Sequence, residues 1–393
     1  MIRAAIVGCG KMADQHAVQI QKISGAKLVA VCDAEPLMAK QIAERFRVPA
    51  WFTDVDEMLA SARPDVVHVT TPPQSHLEIG KRSFEAGASA YIEKPFTLNT
   101  ADAEELIDVA NRKGVKLTAG HNGQFTHAMN QMRRLASDGF LGGRVVHMES
   151  LYCYELGDPA YAKALLGDSD HWARKLPGSL LQNIISHGVA RIAEFMTGEN
   201  IVVSAQAFPS PFLQEIGQSD IIDELRLIIR DENATTAVFT FSSQISPTLH
   251  QFRLYGIKRS LVVDDDHQIV LRLNNKEYKS YMRFFVPPVT FAGQYVRNLA
   301  RNVGRFVRND FHLPNEAGLL TLISSFYKSV EDGAPLPIPY REILLTSRIM
   351  DAAFEQIRVD RQERPIQSLS LDPRAADPVP VEASRVTKGR PIT

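Results

Sequence analysis

Residues 180–188 read LLQNIISHG, and two of them carry chemistry. Asn183 and His187 are four apart, so on a helix they share one face. Leu180, Leu181, Ile184, Ile185 and Val189 make the opposite, apolar face. Histidine titrates near neutrality and can take or give a proton. Its neighbour is an amide, which forms hydrogen bonds but carries no charge to steady a protonated ring. The polar stripe continues through Arg191 and Glu194, and a solvated helix face has the same pattern.

A second centre of chemistry lies at the start of the chain. AAIVGCGKMADQH places Gly8 and Gly10 after an apolar run and before a helical one, in the pattern Gly-x-Gly-x-x-Ala. Gly8 permits the tight turn, Gly10 lets the backbone approach a pyrophosphate, and Ala13 lets the helix pack on the strand. The helix start offers N–H groups to phosphates. Asp33 ends the next apolar run, where a carboxylate holds a ribose 2′-hydroxyl. Its charge favours NAD over NADP; no arginine follows it closely, and Lys40 is a poor substitute.

The elements around these residues follow from periodicity. RAAIVG, AKLVAVCD, DVVHVT, ASAYIE and VKLTAG predict strands, with amphipathic helices between them. Such alternation builds a parallel sheet covered on both faces. Thr100, ahead of Asp102 and Glu104, predicts a helix start. FTHAMNQMRRLASDG predicts a bridging helix. Seven strands follow, from GRVVHMESLYCYEL to HQIVLRL, mostly antiparallel and interrupted early by the His187 helix. Two late helices and a polar, Pro-rich tail complete the chain.

The 393 residues are too many for one ordinary core. The expected fold is α/β: an N-terminal doubly wound parallel Rossmann sheet over 1–122, a C-terminal α+β domain with a large, mostly antiparallel open sheet over 123–359, and a disordered tail over 360–393. Charged residues make up 23% and the net charge is -1, which gives no global pull toward nucleic acid. Cys9, Cys32 and Cys153 have no metal-ligand spacing and are expected as free thiols in a reducing compartment. No run approaches the length needed to span a bilayer, and the opening run is too short for a leader. The cytoplasm is the expected location.

GCGKMADQH, TPPQSH at 71–76, EKP at 93–95 and a helix ending in a histidine occur here in that order. Together they resemble the glucose–fructose oxidoreductase, inositol dehydrogenase and rhizopine catabolism (Gfo/Idh/MocA) family, over roughly residues 1–350. The resemblance implies a Rossmann domain holding NAD or NADP, followed by an α/β domain whose open sheet often forms a homodimer or homotetramer interface. It implies sugars, nucleotide sugars or cyclitols as substrates. It assigns Gly8, Gly10, Lys11, Met12, Asp33, Thr71, Pro72, His76, Glu93 and Lys94 to the cofactor, and Lys94, Asn183 and His187 to catalysis. Asn183 stands where many members have Asp. Gln124, in GHNGQF with Asn122, stands where many have Arg beside the substrate. Residues 276–316 are extra material.

On this reading His187 is the base that takes a hydroxyl proton, and Lys94 holds the same oxygen. Asn183 orients His187 or grips a substrate hydroxyl, leaving the histidine less basic than Asp would. Trp172 is expected to cover the nicotinamide or a sugar face, with Arg174 and Lys175 near an acidic group. His171 and His187 have no partner at metal-ligand spacing, so no metal is expected. In FAGQYVRNLARNVGRFVRN, Arg297, Arg301 and Arg305 lie at i, i+4, i+8, with Val296, Leu299, Val303 and Val307 on another face. Such a helix packs on the protein, mediates assembly, or lies on an anionic membrane. Two alternatives to a dehydrogenase stay open: a glycosidase or epimerase-like enzyme using bound NAD transiently, and a non-catalytic NAD-binding regulator.

Overall fold

A computed structural model describes residues 1–155, 172–275, 277–308 and 314–363. The first sheet is built from β1 (Ile2–Val7), β2 (Ala26–Cys32), β3 (Trp51–Phe52), β4 (Val66–Val69), β5 (Ser89–Ile92) and β6 (Leu117–Ala119). Helices α1 (Lys11–Lys22), α2 (Pro36–Phe46), α3 (Val55–Ala62), α4 (His76–Glu85) and α5 (Thr100–Lys113) alternate with them. All pairings are parallel, in the order β3-β2-β1-β4-β5-β6. This is the doubly wound dinucleotide-binding order, whose reversal between β1 and β4 opens a crevice at the strands' carboxyl ends.

Five strands were expected and six are present. The additional one, Trp51–Phe52, is a two-residue edge strand without a run long enough to show a period. Helix α5 starts at Thr100 as expected, and Asn99 caps it, its side chain accepting from Asp102 N at 2.9 Å. The backbone N–H of Thr100 donates to Asp351.

The second sheet has β7 (Val145–Glu155), β8 (Ile201–Phe208), β9 (Glu224–Asp231), β10 (Thr236–Ser242), β11 (Gln244–Gly256), β12 (Arg259–Asp264) and β13 (Ile269–Asn274), ordered β13-β12-β11-β7-β10-β9-β8. Only β7–β10 is parallel. The remaining helices are α6 (His127–Ser137), α7 (Ser179–Phe195), α8 (Pro211–Glu215), α9 (Met282–Val307), α10 (Pro314–Asp332) and α11 (Tyr340–Glu363). Helix α11 continues past residue 360, where the tail was expected to begin; residues 364–393 lie outside those described.

Two apolar cores result. One lies under α7, where Leu181, Ile185, Val189 and Ile192 meet Phe239, Phe252 and other sheet residues. The other is the Rossmann core, which also takes in Leu319, Leu322, Phe326 and Tyr327 of α10, far along the chain. Gly318 makes that docking close, since a Cβ there would sit 2.3 Å from Asn122 O.

Candidate active site

The crevice begins at Gly8. Its φ is +94°, and a Cβ there would lie 2.7 Å from Thr71 N and Thr71 Cγ2. Glycine is therefore required both by conformation and by the approach of the 70–72 turn. The Thr70 hydroxyl donates to Gly8 O at 2.6 Å and locks the two turns together. Gly10 caps α1 without a side-chain bond, and a Cβ there would meet nothing within 4 Å. Open space over free helix-terminal N–H groups suits a pyrophosphate. Lys11 is exposed and Met12 half-buried at this mouth.

Asp33 is braced from two sides. Cys9 N donates to Oδ2 at 2.6 Å and Glu35 N to Oδ1 at 2.9 Å. The carboxylate is thereby fixed at the end of β2 with lone pairs left for a ribose. Lys40 lies near Glu44 at 3.8 Å on the exposed side of α2 and gives Asp33 no cationic neighbour. These residues fit NAD. Cys9 and Cys32 are buried, and burial, with Asp33 adding, pushes both thiols up to about 12; they are inert packing.

Two residues expected at the cofactor point elsewhere. His76 is buried, with Nε2 2.8 Å from Thr71 O and Nδ1 3.0 Å from Phe96 O. It ties the 71–72 turn to the loop after β5. Burial, outweighing those carbonyls, lowers its pKa. Glu93 is buried too. Its Oε1 lies 2.9 Å from His16 Nε2, and its Oε2 accepts from Lys94 N at 3.0 Å. Side chains alternate along a strand, so Glu93 points to the same face as Tyr91, under α1 and α10, while Lys94 points to the other.

Behind Glu93 the polar contacts continue. His16 Nδ1 lies 2.8 Å from His68 Nδ1, and His68 Nε2 lies 2.7 Å from the Tyr327 hydroxyl. Burial pushes Glu93 up, but the bond and charge of His16 and the charge of Lys94 prevail and hold it below the usual range. None of His16, His68 or Tyr327 was picked out from sequence. The one local sign was a histidine in the first turns after the glycine loop.

Lys94 leaves the end of β5 through a cis bond to Pro95 and crosses to α7. Its Nζ donates to Asn183 O and to Asn183 Oδ1, each at 3.1 Å. Burial lowers its pKa, partly offset by Glu93. Asn183 thus holds Lys94, a contact not foreseen when Asn183 was expected to orient His187 or grip a substrate hydroxyl. His187 lies one turn further along α7. Its Nδ1 is buried and has no hydrogen-bond partner among the described residues. Burial first, then the charges of Lys94, His121, Arg191 and His250, holds its pKa well below 6.5.

The walls of this pocket come from three elements. His121, after β6, has its ring centroid 6.2 Å from that of His187; burial lowers its pKa to about 4. Tyr152, on β7, lies 6.1 Å away and stacks edge-on with His250. Gln182 fastens α7 to the 95–99 loop, donating to Leu98 O at 2.9 Å. His121, Tyr152 and Gln182 were missed by sequence reasoning, although His121 follows directly on a Rossmann strand.

The polar stripe of α7 is not solvated. Arg191 is 1% exposed, ion-paired with Asp265, and donates to Gly123 O at 2.9 Å. Glu194 receives Arg133 and, at 3.1 Å, the amide of Gln124. Gln124 also donates to Ala190 O at 3.3 Å. It is therefore committed to a buried network rather than facing substrate. Asn122 is buried beside it in the same short turn, against α10. Trp172 is half-buried and packs on the second core; Arg174 is half-buried next to it. His171 lies outside the described residues. No cluster of metal ligands occurs among the described residues.

Residues 2–121 match the family model described as "Oxidoreductase family, NAD-binding Rossmann fold". The chain is 30% identical to D-apiose dehydrogenase of Paraburkholderia graminis over 36% of its own length and 37% of that protein's. The aligned part is thus well under half of that relative. Inositol 2-dehydrogenase of Rhizobium meliloti aligns at 23% identity over 92% of this chain and 98% of that protein. In fold, an oxidoreductase from Agrobacterium radiobacter, solved with NAD+, L-tartaric acid and magnesium, superposes with a TM-score of 0.69 at 13% identity, covering 91% of this chain and 96% of that one. Glycine loop, braced aspartate, strand-end lysine and helical histidine stand on a fold shared with these oxidoreductases along nearly the whole chain, and the match to the NAD-binding oxidoreductase family lies in residues 2–121.

Proposed function

We propose that the protein is an NAD-dependent dehydrogenase acting on a secondary hydroxyl, or the corresponding ketone, of a sugar, nucleotide sugar or cyclitol. The observation that carries this reading is the bridge from Lys94, at the carboxyl edge of the Rossmann sheet, to Asn183, one turn before His187. It places an ammonium and an imidazole on the same side of the crevice into which the glycine loop opens.

Gly8, Gly10, Lys11 and Met12 hold the pyrophosphate end of NAD, Asp33 the ribose, and Thr71 and Pro72 the turn beside it. When bound, NAD supplies the acceptor for the hydride that leaves the carbinol carbon. The chain's own groups handle the proton. His187, kept neutral by burial and by nearby cations, is in the form that accepts a proton from the hydroxyl. Lys94 donates hydrogen bonds and stabilises the negative charge that grows on the oxygen. Asn183 fixes the ammonium without neutralising it, so the full charge remains for the substrate oxygen. The ring of Tyr152 and the 121–125 turn narrow the pocket.

D-apiose dehydrogenase and inositol 2-dehydrogenase, two of the relatives, take a sugar and a cyclitol, which supports the substrate class. Assembly through the outer face of the second sheet is part of the same reading; Val202 and Ile228 are 61% exposed there.

The test is to incubate the protein and NAD with fractionated sugars, nucleotide sugars and cyclitols, following nicotinamide reduction, with Lys94→Ala and His187→Ala beside it. Reduction by one fraction, lost in both variants while NAD still binds, is the expected result. Conversion of a sugar without net reduction identifies transient NAD use instead. Equal turnover in wild type and both variants overturns the assignment of the site.

A further inference from the structure

Helix α9 holds four arginines, its C-cap Arg308 adds a fifth, and no acidic residue lies between 282 and 308. It lies along β13, the edge strand of the second sheet. The contact is made by amides spaced one turn apart. Gln294 bonds Arg272 N at 2.7 Å and Arg272 O at 3.1 Å. Asn298 bonds Val270 N at 3.2 Å and Val270 O at 3.1 Å. Asn302 donates to His267 O at 3.0 Å. This ladder of side chains occupies backbone groups that an edge strand otherwise presents to another chain.

The helix is thus held by its polar side, and its apolar side points away from the protein. At about 100° per residue, Phe285, Val289, Val296, Leu299, Val303 and Val307 fall on the sector opposite Asn298. They are 63%, 72%, 64%, 63%, 51% and 76% exposed. Arg283, Arg297, Arg301 and Arg308 run along one side between the two sectors, all exposed. A surface helix normally buries its apolar sector on its own domain; this one does the reverse.

We infer that α9 docks this enzyme on an anionic lipid surface, lying in the plane of the headgroups with its apolar sector inserted. Three observations select that occupant. The arginine ridge has no acidic residue on its own helix, so its counter-charge comes from what the helix meets, and anionic headgroups supply it. A second copy is a poorer fit: an antiparallel two-fold pair through the apolar sector sets both arginine ridges on the same side of the interface. The arginines and two prolines also keep α9 from spanning, and no helix among the described residues is long and apolar enough to cross a membrane. An interfacial helix with aromatic and aliphatic residues on one face and arginines on the other has the chemistry for surface binding.

Flotation of the full chain with phosphatidylglycerol–phosphatidylcholine vesicles, and with phosphatidylcholine alone, tests this. Binding is expected to the anionic vesicles only, weakened by salt. Arg297→Gln with Arg301→Gln is expected to weaken it roughly 25-fold, at about fivefold per arginine. Val296→Glu with Leu299→Glu is expected to abolish it. These side chains point outward, and unchanged thermal melting and NAD binding verify that the variants fold. Equal binding to neutral vesicles overturns the anionic assignment. Absence of flotation, with a concentration-dependent dimer that Leu299→Glu dissolves, assigns the face to a second copy and overturns the proposal.

Discussion

The Lys94 ammonium rests on one residue of α7, donating to both the side-chain and main-chain oxygens of Asn183 at 3.1 Å. Both acceptors are neutral. The contact therefore fixes where the lysine points without adding an opposite charge beside it.

Replacing Asn183 by Asp tests that relationship directly. A carboxylate in contact with Lys94 raises the lysine pKa, and one turn from His187 it raises the histidine pKa as well. The acidic limb of kcat/KM reports the group that must be unprotonated in the free enzyme. In the parent that limb lies below the ordinary histidine range, because burial and the nearby cations depress His187. In Asn183→Asp it is expected to move to higher pH. A pH–rate profile measures it, and an identical limb in both proteins separates His187 from the proton-transfer step.

The two glycines of the first turn are expected to fail differently. Gly8→Ala forces a side chain into φ +94° and places Cβ 2.7 Å from Thr71 backbone. It is expected to destabilise the fold by roughly 1–3 kcal/mol and to weaken NAD binding. Gly10→Ala adds a methyl group where nothing lies within 4 Å. Its melting temperature should stay unchanged while NAD affinity falls. Calorimetric titration with NAD beside thermal melting distinguishes the two. If Gly10→Ala binds NAD as the parent does, the pyrophosphate does not lie over that residue.

What could be read in advance was whatever the local backbone dictates. The glycine loop, Asp33 at the end of β2 and Lys94 at the end of β5 are fixed by strand, turn and helix in sequence order. All seven strands of the second sheet showed in their periodicity. The directions of polar side chains depend on distant packing and could not be read. Glu93 turned inward because α1 and α10 bring His16 and Tyr327 beneath it. Gln124 was taken up by Glu194, 70 residues away. Lys94 found Asn183 across 89 residues. Strand alternation did hold one unused clue: adjacent residues point to opposite faces, so Glu93 and Lys94 could not both meet the cofactor.

Arg191 and Asp265 hold α7 against the 123–126 turn and the end of β12. Arg191 is buried with its carboxylate partner, and Asp265 also accepts from Thr126 Oγ1 at 2.7 Å. Removing one member of a buried pair strands the other charge, at about 3–5 kcal/mol. Arg191→Met is therefore expected to lower stability by that order. Arg191→Met with Asp265→Leu should recover part of it, because no uncompensated charge remains. Chemical denaturation of both variants checks the order. A double variant less stable than Arg191→Met contradicts stranded charge as the cause.

His121 links the pocket to acid stability. Its folded pKa is lowered by burial to about 4, against 6.5 for the free side chain. The unfolded chain therefore binds a proton that the folded chain refuses over that interval, and stability falls as pH drops from about 6.5 toward about 4. The shift corresponds to roughly 3 kcal/mol, fully present above the unfolded pKa. Glu342 acts with the opposite sign: burial and Glu194 raise it to about 7, so its contribution is lost as pH rises. Comparing the parent with His121→Phe isolates the histidine from that background. The variant is expected to lose less stability than the parent between about pH 7 and about pH 4, by the same few kcal/mol, in urea unfolding at each pH. Parallel curves for the two proteins place the His121 pKa near its free value and remove the ring as a source of acid sensitivity.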